Sequence, residues 1–253
     1  AAFGTLGATT KASISGMIEG EINAEVVVQG VASQGMPIQL PGGVEQRIAD
    51  LSEVDDVASL AFAFASLGGE PQPLASASGP VGEMIDATMV DGSLQPGENS
   101  LVVSQSVARD RGWVYGATVP LVAPDGTEST LTVTGVYEDS QILGQFITGR
   151  DVYERLVPEN LRSTFNVLVS PAEGVSDDDA IAAVTTELED IPIASVQSKQ
   201  QFIDTQAGSV DQLLTIIYAL LGLALVIAVV GIGNTLALSV IERRTEIGML
   251  RAV

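Results

Sequence analysis

Apolar residues are distributed unevenly along this chain, and one run dominates the pattern. From Gln212 to Ile241 there are thirty consecutive residues without a charge, most of them Leu, Ile, Val, Ala or Gly. A helix of that length extends about 45 Å, whereas the hydrocarbon core of a bilayer is about 30 Å thick. A helix in the core of a soluble protein is seldom so apolar on every face. The run therefore predicts a transmembrane helix.

Shorter patterns before this run predict two β-α-β units. The strands are marked by valine-rich or alternating apolar residues, and the helices by apolar residues at helical spacing. Ser176 lies where it would cap the second helix, and Asp177, Asp178 and Asp179 follow it. In chain order the predicted elements are strand 24–30, helix 44–51, strand 57–67, strand 166–170, helix 177–188 and strand 191–196.

Between the two units the chain looks rich in β-structure. Residues 68–80 (GGEPQPLASASGP) have the composition of a linker or hinge. A turn at Pro124-Asp125-Gly126 predicts a hairpin of strands 117–122 and 128–137. The other predicted elements here are strand 101–104, helix 105–111 and helix 149–156.

The charge changes sign along the chain. Residues 1–211 carry 30 acidic and 8 basic side chains, whereas the last twelve residues carry three Arg and two Glu. By the positive-inside rule, Arg243, Arg244 and Arg251 place the C-terminus in the cytoplasm and the acidic part outside. An external part so acidic argues against nucleic acid or an anionic lipid surface as its partner.

The chain contains no Cys and no His, which excludes several kinds of site. It can form no Ser-His-Asp triad, cysteine nucleophile or histidine-ligated zinc site. Asp177–Asp179 lack the alternating ligands of a calcium loop, so capping explains them better than a metal site. Glu138-Asp139 reads as a solvated loop because no second carboxylate can be placed near it. We expect no catalytic, cofactor or metal residues, and we expect Phe62, Phe64, Trp113 and Phe146 to lie in the core. The alternative is that an apolar cleft between the lobes uses one of these aromatic residues for a lipid-like substrate.

Small and polar residues within the apolar run favour helix packing in the membrane. Ala224 and Ala228 are four residues apart, as are Gly231 and Thr235, and such spacing lets two helices approach closely. Asn234 could donate hydrogen bonds across helices. A role of Asn234 in transport is the alternative to packing.

The residues that follow the run, Ile241–Val253 (IERRTEIGMLRAV), resemble the motif that closes the second membrane helix of FtsX-like permeases. These are membrane subunits of the ABC transporter type and include the MacB and LolC/LolE groups. Their pattern is E-R-x-x-E-I-G-[hydrophobic]-L-R-A-[hydrophobic]-G. The matching residues are Glu242, Arg243, Glu246, Ile247, Gly248, Leu250, Arg251 and Ala252.

The resemblance implies an α+β fold with a bilobed extracytoplasmic domain of the MacB type. A β-α-β lobe is formed by both sequence ends, and a β-rich lobe of about residues 80–165 is inserted between them. We expect the end of a first membrane or stalk helix at 1–20 and the domain at 21–197. A stalk and transmembrane helix at 198–241 and a cytoplasmic coupling segment at 242–253 follow. The chain is expected to be a fragment of a longer protein.

The resemblance also implies how the coupling segment would act. Its charged residues would fix the register against a cytoplasmic ABC ATPase, and its apolar residues would be buried at the centre of that contact. The alternative is a juxtamembrane segment with snorkelling arginines and no partner. The expected coupling residues are Glu242, Arg243, Arg244, Glu246, Ile247, Gly248, Leu250 and Arg251.

The predicted function is therefore that of a non-enzymatic permease subunit. ATP would bind to a separate chain, a second permease copy or homologue would complete a dimer, and an unknown substrate would be exported or extracted. One alternative is an FtsX-like mechanotransmitter that regulates a cell-wall hydrolase. Another is a single-pass receptor or adhesion protein.

Overall fold

The computed structural model describes residue 16 and residues 19–33, 36–140 and 143–251. It has the predicted α+β class and divides into two compact units. The first unit, Ser13–Thr205, is named here the domain; the second is represented among the described residues by 206–251. Of the N-terminal helix predicted over 1–20, only Gly16, Glu19 and Gly20 are described, and they are helical.

The two predicted β-α-β units are present and interlock in one sheet. Their four strands lie in the order β14-β1-β13-β5, and each neighbouring pair is antiparallel. The strands of each unit are thus parallel to one another but separated by a strand of the other unit, which is the split β-α-β arrangement. The elements are β1 Val26–Gly30, α1 Val44–Ala49, β5 Val54–Leu67, β13 Asn166–Pro171, α5 Asp177–Glu187 and β14 Ala194–Ser198. We name this part the α/β lobe.

The second half of β5 continues into a closed barrel. Six strands pair in the ring β5-β6-β11-β8-β10-β9 and back to β5. We name the barrel and its two short helices the β lobe. Its further elements are β6 Glu70–Ser78, β8 Ser100–Ser104, α3 Gln105–Arg111, β9 Thr118–Val122, β10 Glu128–Tyr137, β11 Phe146–Gly149 and α4 Arg150–Leu156.

The linker predicted over 68–80 is wrong, because nine of its residues form strand β6. Gly68 and Gly69 make the turn before it with φ of 62° and 90°, and β6 then pairs along its length with β5. Pro71 and Pro73 are tolerated because the second neighbour, β11, pairs only with Ala75–Ala77. A proline removes a ladder donor, so it fits where one edge of the strand is unpaired. Residues 70–78 are therefore a paired strand and not a linker.

The remaining elements are short, apart from the last helix. The strand predicted over 191–196 begins later, at Ala194, because Ile191–Ile193 form a turn. The hairpin at Pro124-Asp125-Gly126 is confirmed. The other elements are β2 Ala32–Ser33, β3 Met36–Pro37, β4 Leu40–Pro41, α2 Val81–Met84, β7 Met89–Gly92, the 3-10 turn Glu159–Leu161, β12 Ser163–Thr164 and α6 Lys199–Arg251.

Three apolar clusters stabilise the domain. One fills the barrel, where Ala61, Ala63 and Ala65 of β5 point inward. A second lies between α1, α5 and one face of the α/β sheet. The third, named here the anchor cluster, lies on the other face of that sheet and includes Ile22, Val27, Leu60, Val81, Met84, Ile85 and Phe202.

Candidate functional site: the long helix and its anchorage

The predicted stalk, membrane span and coupling segment belong to a single helix. α6 is continuous over the 53 residues Lys199–Arg251. At 1.5 Å per residue it extends about 80 Å. The helical backbone therefore connects the domain with the matched motif without a break.

A capping box fixes the beginning of α6. The Gln201 amide donates to Ser198 Oγ at 3.2 Å, and the Ser198 amide donates to Gln201 Oε1 at 3.0 Å. Ser198 is also the last residue of β14, so strand and helix are joined without a loop. The Lys199 amide donates to the Glu25 carbonyl at 2.8 Å, just before β1 begins. The S-x-x-Q signal in the sequence indicates such a cap, but we did not predict it.

The first turns of α6 are anchored in the domain by apolar burial. Phe202 and Ile203 are 6% and 2% exposed, and Phe202 belongs to the anchor cluster. Burying a phenylalanine side chain stabilises a fold by about 1.5–3 kcal/mol. The first turns of α6 are therefore part of the packed interior of the domain.

The N-terminal approach of the chain is fixed at the same cluster. Ile22 is 2% exposed and forms a bridge with Ile85. The Asn23 amide donates to the Met84 carbonyl at 2.8 Å. Ser140 Oγ donates to Glu21 Oε2 at 2.7 Å. Both connections of the domain to the rest of the chain thus converge on the anchor cluster.

The central part of α6 is apolar and exposed. Among the described residues, Thr215–Leu236 is the one helical stretch long and apolar enough to cross a membrane, with a mean hydropathy of 2.7 and none of it buried. The exposed large side chains include Leu220, Leu225, Val230 and Ile232. Such a surface is unfavourable in water and favourable in hydrocarbon.

The predicted packing residues lie on one side of this stretch. At 100° per residue, Ala224, Ala228, Gly231 and Thr235 fall within about 60° of one another around the helix axis, whereas Asn234 lies beside this stripe. All five are exposed. Thr235 Oγ1 donates to the Gly231 carbonyl at 3.0 Å, so its hydroxyl is satisfied within the helix. Packing against a second helix stays a prediction.

The coupling segment is described through its backbone alone. The positions from Glu242 to Arg251 are helical, and Ala252 and Val253 lie outside the described residues. Helical spacing puts Glu242 one turn from Glu246 and Ile247 one turn from Leu250. The coupling role of Glu242, Arg243, Arg244, Glu246, Ile247, Gly248, Leu250 and Arg251 stays a prediction.

The acidic clusters considered in the sequence have structural partners. The Asp179 amide donates to Ser176 Oγ at 3.2 Å, which confirms the predicted cap. Glu138 and Asp139 lie exposed in a loop, as predicted. Ser106 donates to Asp139 from its Oγ at 2.8 Å and from its amide at 3.2 Å, and these bonds lower the pKa of Asp139. Within the described residues no cluster of Asp and Glu is suited to hold a metal ion.

One aromatic residue departs from its predicted position. Phe146 is buried, and Phe62 and Trp113 are partly buried against apolar clusters, but Phe64 is 71% exposed. Because alternate residues of β5 point into the barrel, Phe62 and Phe64 both point outward. Phe62 is covered by Phe165, whose ring centroid lies 5.1 Å away, whereas Phe64 extends beyond this contact.

No protein-family model matches this chain, and no curated protein matches it. Among solved structures, it is similar to the periplasmic region of MacB from Actinobacillus actinomycetemcomitans. The TM-score is 0.55 at 14% identity, over 76% of this chain and 97% of that chain. This likeness identifies the fold of the domain as that of a MacB-type periplasmic region, as predicted.

Two further solved structures align with the chain. The extracellular domain of the ABC-type transporter YknZ from Gram-positive bacteria gives a TM-score of 0.49 at 14% identity, over 68% of this chain and 98% of that chain. A permease-protein domain from Porphyromonas gingivalis gives 0.45 at 20% identity, over 72% and 90%.

Proposed function

We propose that this chain is part of the membrane subunit of an ABC-type complex, in which ATP hydrolysis on a partner chain moves the external domain. The observation that carries the proposal is the continuity of α6 from the capping box at Ser198 to Arg251. One helix contains the anchorage in the domain, an apolar stretch of membrane length and the E-R-x-x-E-I-G motif. The MacB-type fold of the domain supports the same assignment.

The proposed mechanism is mechanical. A continuous hydrogen-bonded helix transmits displacement along its axis better than a chain interrupted by loops. The partner ATPase can drive the displacement only if it contacts Glu242–Arg251 differently in its two nucleotide states, since a partner without such a preference shifts no equilibrium. The domain would then respond through Phe202 and the anchor cluster, and an unidentified substrate would be exported or extracted.

In this proposal the chain carries out no catalysis itself. ATP and its magnesium ion belong to the ATPase, and the permease contributes a docking segment. A second permease copy or homologue would pair with α6 in the bilayer, with Ala224, Ala228, Gly231, Asn234 and Thr235 at the helix contact. The domain would face the extracytoplasmic side and the motif the cytoplasm.

Charge reversal in the motif tests the proposal. Glu246→Lys is expected to reduce copurification of the ATPase with the full-length permease at least about tenfold, because a like charge at an interface costs several kcal/mol. Glu189→Lys, at an exposed position of the domain, makes the same charge change and is the control. Equal recovery of the ATPase with both variants would contradict the coupling role.

A further inference from the structure

On the face of the sheet opposite the anchor cluster, the two lobes of the domain meet over a polar row. On one face of β5, Val57 packs against the α/β cluster and Ala61 belongs to the barrel cluster, but Ser59 lies between them. On β6, Ser78 is directly opposite Ser59 and Ser76 is opposite Ala61. We name Ser59, Ser76 and Ser78 the serine seam. Ser59 and Ser76 are 6% and 4% exposed, so hydroxyl groups interrupt an otherwise apolar interior.

A charged pair crosses this seam. Arg150, the first residue of α4 in the β lobe, donates from Nη1 to Oε1 of Glu45 on α1 in the α/β lobe at 2.7 Å. The Glu45 side chain is only 11% exposed. Its second oxygen accepts a hydrogen bond from Thr164 Oγ1 at 3.0 Å. Arg150 is held in turn by Glu154, through Nε and Oε1 at 2.7 Å.

The space beneath the pair is a small cavity lined mostly by residues with polar side chains. It is lined by the serine seam, Glu45, Arg150 and Tyr153, together with Arg162, Ser163 and Thr164. Water can enter such a cavity, because hydroxyl and charged groups offer it hydrogen bonds. Separating apolar surfaces costs free energy in proportion to the exposed area, whereas hydroxyl groups exchange protein partners for water at little cost. The seam is therefore easier to open than the cores on either side.

Most of the other described ion pairs stay within one lobe; an exception is the 3.8 Å contact between Glu154 of α4 and Arg162, whose carbonyl accepts from the Gly42 amide just before α1. Arg47 binds Glu187 and Asp190 inside the α/β lobe, and Arg155 binds Asp151 inside α4. The Glu45–Arg150 pair joins elements that are 105 residues apart and belong to different cores. Its position distinguishes it from a pair that stabilises one helix or loop.

We propose that Glu45 and Arg150 form a releasable clasp between the lobes. While the pair is made, it holds the α/β lobe and the β lobe in the arrangement described. When it opens, the lobes bend relative to each other about the continuous strands β5 and β6, and water fills the serine seam. The clasp is a property of the domain and does not depend on the proposed coupling to an ATPase.

Distance measurements between the lobes test the clasp. Because the chain has no Cys, Glu189→Cys in the α/β lobe and Glu128→Cys in the β lobe introduce two unique spin-label sites at exposed positions. Double electron–electron resonance on the full chain is expected to give a narrow distance distribution. Arg150→Ala should broaden the distribution or shift its maximum.

Arg155→Ala is the matched control. Both arginine side chains are 46% exposed and both pair with a carboxylate one turn away, but Arg155 does not reach the other lobe. A distribution for Arg150→Ala that superimposes on that of Arg155→Ala would overturn the proposal.

A second measurement covers the case in which Arg150→Ala loses its fold. Glu45→Gln keeps a hydrogen-bond acceptor for Thr164 but removes the charge. It is expected to raise amide hydrogen exchange of Ser163 and Thr164 roughly fivefold, because an ion pair whose arginine is half-exposed stabilises a local structure only modestly. Unchanged exchange at both amides would equally overturn the clasp.

Discussion

The domain is held together by different interactions at the anchor cluster and at the junction of its two lobes. At the anchor cluster, Phe202 of α6 is buried among apolar side chains, the neighbouring Ile203 is also buried, and Ser198 and Gln201 cap the helix. At the junction of the lobes, serine hydroxyls and the Glu45–Arg150 pair lie around a small cavity. The first place joins a helix to the sheet, and the second joins two halves of one sheet.

In the proposed mechanism, the anchor cluster is the connection suited to transmit force, and the junction of the lobes is the connection suited to yield. When packed apolar surfaces separate, the free energy gained from burial and close packing is lost, so the anchor cluster resists displacement of α6. A polar contact exchanges its partners for water, so the junction opens at a smaller cost. A domain moved through its helix would then change shape at the seam before it lost its anchorage.

The largest effect is expected from removing the aromatic anchor. Phe202→Ala should lower the free energy of unfolding of the domain by about 3–5 kcal/mol, since it deletes a buried ring and leaves a cavity. Unfolding of the full chain in detergent can be followed by the fluorescence of Trp113, the single tryptophan.

Phe64→Ala makes the same substitution at a 71% exposed position and should change the free energy of unfolding by less than about 0.5 kcal/mol. If the two variants were equally stable, α6 would not be anchored through Phe202.

An intermediate effect is expected at the beginning of α6. Ser198→Ala removes the acceptor of the Gln201 amide and should lower the free energy of unfolding by about 1 kcal/mol. The control is Ser78→Ala, a partly exposed serine of the seam, for which we expect less than about 0.5 kcal/mol. Denaturant titrations of both variants measure the difference. If Ser78→Ala proved less stable than Ser198→Ala, the seam and not the helix cap would contribute more to stability, contrary to this comparison.

The smallest effect on the free energy of unfolding is expected when acid neutralises Glu154, which binds Arg150 at the junction of the lobes. The hydrogen bond from Arg150 lowers the pKa of Glu154 below its ordinary value of 4.5. A carboxylate with a lowered pKa stabilises the fold above that ordinary value and loses its contribution as the pH falls through the folded pKa. The free energy of unfolding of the unmodified chain should therefore exceed that of Glu154→Gln at pH 7, and the difference should disappear as the pH falls below 4.5.

Glu189→Gln, at an exposed carboxylate outside the described ion pairs, should give little difference at either pH. A difference for Glu154→Gln that did not depend on pH would show that the side chain stabilises the junction through packing and not through its charge.

Local patterns in the sequence predicted the elements that depend on local physics. The Val26–Val28 run became β1, Ser176 caps α5, and the proline turn at Pro124 forms the hairpin. Each of these elements depends on side chains and backbone within a few residues. The residues that determine the element therefore lie within it or next to it in the sequence. The fold class followed from the order of such elements together with the C-terminal motif.

The wrong predictions concern positions whose environment is supplied by distant residues. Residues 68–80 have linker composition, but β5 and β11 pair with them as neighbours. Phe64 has a core-like side chain, but the cover over its face of β5 ends at Phe62, and Phe64 is left exposed. Which strands pair, and which side chains are covered, depends on elements far away in the sequence. The composition of a local segment therefore cannot predict either.

The sequence by itself determined that one uncharged run is long enough to cross a membrane and that a specific charged motif follows it. It also determined the acidic character of the domain, because these properties are sums over neighbouring residues. Only the tertiary structure decided that Phe202 joins α6 to the sheet and that Glu45 meets Arg150 across the seam. Those contacts arise because the closed barrel and the interlocked strands bring together side chains that are far apart in the sequence.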